Sequence, residues 1–160
     1  MGQKLENVRK KVDNVKELSD RVRELGDKVV GDITSVRDIL GEMPEGADDD
    51  IMEAVKEVDD SSTQEATDNM NSEVKDVLDQ NKDLNAETAD EATEQEEKSR
   101  DASSKFSEIS GNRFGQSGAD AAQKAEGSAD SFSEARDQAQ EYADQADEDF
   151  NNRLDAVMRH

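Results

Sequence analysis

Large apolar residues recur at Leu5, Val8, Val12, Val15, Leu18, Val22, Leu25, Val29, Ile33, Val36, Leu40 and Met43, always three or four positions apart. That spacing draws one continuous stripe down a helix from about Gln3 to Leu40. A stripe of this length must be buried, and the rest of the chain offers few large side chains to cover it. Residues 1–43 carry 15 of the large apolar residues, residues 44–110 carry 11 and residues 111–160 carry 7. The expectation is an interaction surface at Val8, Val12, Val15, Val22, Leu25, Val29, Ile33 and Val36, buried by association with a second helical chain.

Charge divides the chain in the same places. The apolar third is neutral, with 9 acidic and 9 basic residues over positions 1–43. Positions 44–110 hold 22 acidic and 6 basic side chains, and positions 111–160 hold 11 and 5, so the whole chain stands at -22. Such a surface repels nucleic-acid phosphates and anionic lipid headgroups, and neither is expected as a partner of residues 44–160. The neutral segment alone permits close approach of another protein. A homo-oligomer, or a complex with another helical protein, follows as the expected state.

Breaks in the pattern set the organisation. Gly41-Glu-Met-Pro44-Glu-Gly46 joins a helix-ending glycine to the sole proline and closes the first helix. Asp48-Asp49-Asp50 then places negative charge where a helix dipole favours it. Ile51, Val55 and Val58 are expected to turn inward. Asp59-Asp60-Ser61-Ser62-Thr63 reads as a kink or restart, because Ser62 and Glu65 have capping-box spacing. Ala66, Met70, Val74, Val77 and Leu84 resume the inward face. Beyond Thr88 the inward positions are Ala92, Gln95, Ser99 and Ala102, which predict a thin, exposed helix or local disorder.

The second break is the glycine-rich run at 111–118. It leads into an alanine-faced helix through Ala121, Ala125, Ala129, Phe132, Ala135, Ala139, Tyr142, Ala146, Phe150, Leu154 and Val157. No strand alternation appears. The expected fold is all-α, an elongated helical bundle or coiled coil of three to four long helices. Its segments are a neutral amphipathic coiled-coil helix (1–43), an acidic helical segment kinked near 59–63 (44–110), and a glycine-rich turn plus an Ala-rich C-terminal helix (111–160).

Catalytic and ligand motifs are sparse. The one histidine is His160, and cysteine is absent, which removes histidine general bases and cysteine metal sites from the sequence reading. The acidic clusters at 48–50, 59–60 and 144–149 lack the alternating ligands, central glycine and distal glutamate of a calcium loop. Arg113 is the only cation in the glycine-rich turn, which has no phosphate-loop lysine. No enzyme activity, cofactor or metal is expected. Hydrophobic runs fall short of the roughly 20 residues of a membrane span, and no charged-then-apolar signal peptide opens the chain, so a cytoplasmic location is the default expectation. The opening Met-Gly-Gln-Lys-Leu-Glu is similar to a myristoylation site, with Glu6 where Ser or Thr is expected.

Phe114-Gly115 in a glycine-rich turn, followed by Ala119, Ala121 and Ala122, lies between helical arms at about 75–110 and 118–157. This half of the chain resembles the small helical-hairpin substrates of type VII secretion, whose turn carries Trp-x-Gly. Here Phe replaces Trp and is adjacent to Gly, and Tyr142 is followed four residues on by Ala146 where that family has an acidic residue. The resemblance implies a secreted or targeting hairpin that pairs with a second protein. A second likeness is compositional: excess Asp over Lys, Val above Ile and few aromatics are similar to proteins of salt-accumulating cells. Eleven lysines stand against it. The Ala-, Asp- and Gln-rich last third also fits a loosely ordered, stress-protective protein. The reading that the whole chain fits best is a non-enzymatic structural or scaffold protein acting by helix–helix association.

Overall fold

In the computed structural model, which describes residues 2–44, 46, 48–109 and 115–159, Asp48 sets the start of the second helix. Its backbone is extended, and its carboxylate accepts the Ile51 N–H at 3.0 Å. This satisfies one of the orphan donors of the first turn. Asp49 and Asp50 add negative charge at the positive end of the dipole. The chain reaches that point from α1 (Gly2–Gly41) through a tightened last turn, in which Glu42 N–H bonds to Ile39 O and Met43 N–H to Leu40 O, both at 3.2 Å. Gly46 takes φ of 81°, a left-handed geometry that a side chain would strain.

Helix α2 (Asp49–Asn69) runs into a π turn (Met70–Val74) and on into α3 (Lys75–Ile109). Helix α4 (Gln116–Met158) follows, with Gly115 before it at φ of 47°. The described residues are all-α and contain no strand. The break expected at 41–47 falls between α1 and α2. The break expected at 111–118 falls between Ile109 and Gln116, although Phe114 lies outside the described residues, as do residues 110–113.

The expected kink at 59–63 is corrected: helical hydrogen bonding runs straight through those residues. The irregularity sits at the π turn, where Lys75 N–H reaches back five residues to Met70 O. Ser72 Oγ also donates to Asp68 O at 2.8 Å, so a hydroxyl joins that carbonyl at the π turn. Met70 and Val74, which bound this turn, are both buried, at 0 and 1% exposure.

The chain divides into two compact units. In one (Met1–Glu17 with Lys82–Ala143), Val8, Val12 and Val15 of α1 pack with Ala92 of α3 and with Phe132, Ala135 and Ala139 of α4. In the other (Leu18–Asn81 with Asp144–His160), Val22, Val29 and Ile33 pack with Ala66, Met70, Val74, Val77 and Leu78 and with Ala146, Phe150 and Val157. Each unit is thus a three-helix arrangement with its own apolar core.

The expectation of an exposed or disordered stretch beyond Thr88 is also corrected. Thr88, Ala92, Gln95 and Ser99 are buried within a regular helix. On α4, Ala122, Ala125, Ala129, Ala135 and Ala139 are buried too, and Ala92 clusters with Phe132, Ala135 and Ala139. Small residues on both faces let two helix backbones come close, so burial here rests on matched size rather than on large apolar area. Thr88 Oγ1 donates to Leu84 O at 2.7 Å and Asn85 Nδ2 to Gln140 Oε1 of α4 at 3.0 Å, while Asn85 Oδ1 is buried without a hydrogen-bond partner among the described residues.

Candidate interaction surface

The eight positions expected to form an intermolecular seam lie inside the two units. Val8, Val12, Val15, Val22, Val29 and Ile33 are buried, and Leu25 and Val36 are half-buried. The stripe's covering comes from the chain's own helices, through alanines, Met70 and the phenylalanines of α4. Counting large side chains had underestimated that cover. Alanine contributes little area singly, yet Ala135, Ala139 and Ala146 of α4 are all buried in the two clusters that hold the α1 valines. A surface already filled from within the fold is not free for a partner.

Polar pairs flank these cores and fix helix register. In the first unit Lys11 donates to Glu87 at 3.1 Å and also to Glu91. Its hydrogen bonds to Glu91 and then Glu87 hold the Lys11 ammonium above its ordinary range. Arg136 bonds to Thr93 at 3.1 Å and to Glu96 at 2.9 Å. In the second unit Asp149, 4% exposed, accepts from Arg23 at 3.3 Å, Arg153 at 3.2 Å and Gln145 at 3.0 Å. Asp149 is the buried member of this set and the others are partly exposed; the Lys11, Arg136 and Arg23 pairs each link neighbouring helices at the margin of a core.

What the fold leaves open lies elsewhere. Arg37 of α1 donates to the carbonyls of Ala156 (3.2 Å) and Val157, in the last turn of α4, and to Thr63 Oγ1 at 3.2 Å. A cation is well placed there, at the negative end of the α4 dipole. Beyond that point along α1 and α2 the apolar positions are uncovered. Ile39 is 60% exposed, Met43 41%, Ile51 44%, Met52 51% and Val58 47%. Ile39 lies in the last turn of α1 and Met43 just past its end, while Ile51, Val55 and Val58 share a face of α2 at i,i+4 and i,i+3 spacing. Arg37, Leu40, Gly41, Met52, Val55, Lys56 and Asp59 line a cleft of about 430 Å³ between the two helices.

Ile51 and Val58, expected to turn inward, therefore point to solvent, while Val55 is half-buried. The apolar periodicity of 51–58 was a real signal of a face that needs cover. It could not tell whether the cover belongs to this chain. A smaller exposed pair, Phe106 and Ile109, lies over Ala121 where α3 and α4 approach their turn.

Among the described residues no group of three or more His, Asp or Glu is placed to hold a metal ion, and no helix is long and apolar enough to cross a membrane. His160 lies outside the described residues. No family model, curated protein or solved structure matches the chain.

Proposed function

We propose that the chain is a non-enzymatic scaffold or adaptor that acts by helix–helix association with another protein. The observation that supports this is the uncovered seam on α1 and α2. Five large apolar side chains there are between 41 and 60% exposed, while the stripe with the stronger sequence signal is consumed by the chain's own packing. Scattered single apolar residues on a surface need no explanation, but here exposed Met52 lines a cleft with half-buried Leu40 and Val55, and four more exposed apolar residues lie on the same stretch of chain, which marks a face built to be covered. The role moves from the middle of α1 to its C-terminal end and the first three turns of α2.

Photo-crosslinking in cells tests the reading. A photoreactive residue in place of Met52 should give discrete protein adducts, and the same residue in place of Lys98, exposed on α3, should not. Identical adduct patterns at both positions, or none at either, would count against association through this seam.

A further inference from the structure

The seam on α1 and α2 is apolar at its centre and strongly acidic around it. Residues 32–60 include eleven acidic side chains against two basic ones, Arg37 and Lys56. Arg37 is already engaged with Asp59 at 3.8 Å, with Thr63 and with the end of α4. Asp38 on α1, Glu42 just past its end, and Asp49, Asp50, Glu53, Glu57 and Asp60 on α2 all stand exposed. A second copy of the chain would bring one such field against another, and like charges held together across an interface are costly. An apolar centre flanked by carboxylates instead matches an apolar helix face flanked by lysine or arginine.

We infer that the seam is a docking site for a basic amphipathic helix of a partner protein. Such a helix would lay apolar side chains at i, i+3 or i+4 and i+7 into the cleft lined by Leu40, Met52 and Val55. Its cations would meet Glu53 and Glu57 on one side and Asp38 and Glu42 on the other. The apolar contact supplies affinity, while the acidic flanks raise the on-rate and select the partner. This rests on the association reading above and names its partner class.

The test uses the full chain and three labelled helical peptides of about 18 residues, roughly five turns. One carries a leucine face with lysine flanks, one the same face with glutamate flanks, and one is the lysine peptide with its order scrambled. Fluorescence anisotropy should show the lysine peptide binding with a Kd in the range of about 10–100 μM, and neither control binding below ~1 mM. Met52→Asp, at a site exposed enough to leave the helical melt unchanged, should weaken binding at least ~tenfold. Glu53→Gln with Glu57→Gln should weaken it several-fold and flatten its salt dependence.

Binding that survives Met52→Asp would mean that the peptide merely condenses on acidic surface, and would overturn the proposal. Equal binding of the lysine and glutamate peptides, lost in Met52→Asp, would overturn the charge selection but leave helix association standing. A doubled molar mass of the chain alone, abolished by Met52→Asp, would do the same in favour of a second copy. No peptide binding and no self-association would remove both readings.

Discussion

Phe132 is the largest fully buried side chain of the first unit, at 1% exposure, and it sits in a cluster with Val8, Val12, Val15, Ala92, Ala135 and Ala139. Replacing it with alanine leaves a cavity whose walls are mostly alanine and valine. Alanine has no rotamers with which to fill the space, and valine is stiff at χ1, so little relaxation is available. Phe→Ala changes in cores cost about 3–5 kcal/mol, rising with the residual cavity, and at least the middle of that range, about 4 kcal/mol, is expected here. For a chain of this length that corresponds to a fall of roughly 8–16 °C in Tm. Urea unfolding followed by circular dichroism at 222 nm gives the free energy directly, with Phe106→Ala as the control. Phe106 is 37% exposed, and its removal should cost less than about 1.5 kcal/mol. If Phe132→Ala costs no more than Phe106→Ala at an unchanged m-value, the alanine-lined core described for this unit is wrong.

Other outcomes follow from the same geometry. Tm should rise from low to molar NaCl, because a net charge of -22 repels itself and salt screens that repulsion; a flat or falling midpoint would contradict it. Gly31→Ala and Gly127→Ala, where a new methyl meets nothing within 4 Å, should each stabilise by about 0.5–1 kcal/mol. Gly26→Ala should give no such gain, since its methyl would stand 3.1 Å from Cγ of Arg153, and thermal melts of the three variants would show the contrast. Lys11→Met should lose about 0.5 kcal/mol, discounted for the partial exposure of Lys11 and its carboxylates. Because folding raises the Lys11 pKa from its ordinary 10.5, that contribution is fully present below pH 10.5 and fades as pH climbs through the raised value. The Tm gap between the two proteins should therefore hold below pH 10.5 and close only as pH climbs through the raised value; a gap that widens with alkali would refute the pairing.

Periodicity and end signals made the helices readable. Gly41 with Pro44 marked the end of α1, and the aspartates at 48–50 marked the start of α2. Less could be read of what each face touches. The valines at 8, 12 and 15 demand cover, but a sequence pattern does not distinguish cover from α4 of the same chain and cover from a neighbour. Area alone argued for the neighbour, since Ala129, Ala135 and Ala139 are small. Ala135 and Ala139 are nonetheless buried in the cluster that holds the three valines. The π turn at 70–74 was illegible for a related reason. Met70 and Val74 at i,i+4 spacing fit an ordinary helix equally well, so nothing in the sequence pattern announces the fifth-residue hydrogen bond. The seam at Ile39, Met43, Ile51, Met52 and Val58 was half visible: its periodicity was plain, but its exposure depends on where α4 meets Arg37.

The claim on which the account turns is that the α1 stripe is filled from within the chain. Thermal unfolding across a hundredfold range of protein concentration, about 1 to 100 μM, tests it most directly when paired with light scattering on the same samples. An intramolecular core predicts a helical species of 17.6 kDa whose midpoint does not move with concentration. A helical state found only at twice that mass or more, with a midpoint that climbs as the protein is concentrated, would show that the stripe is covered by another molecule.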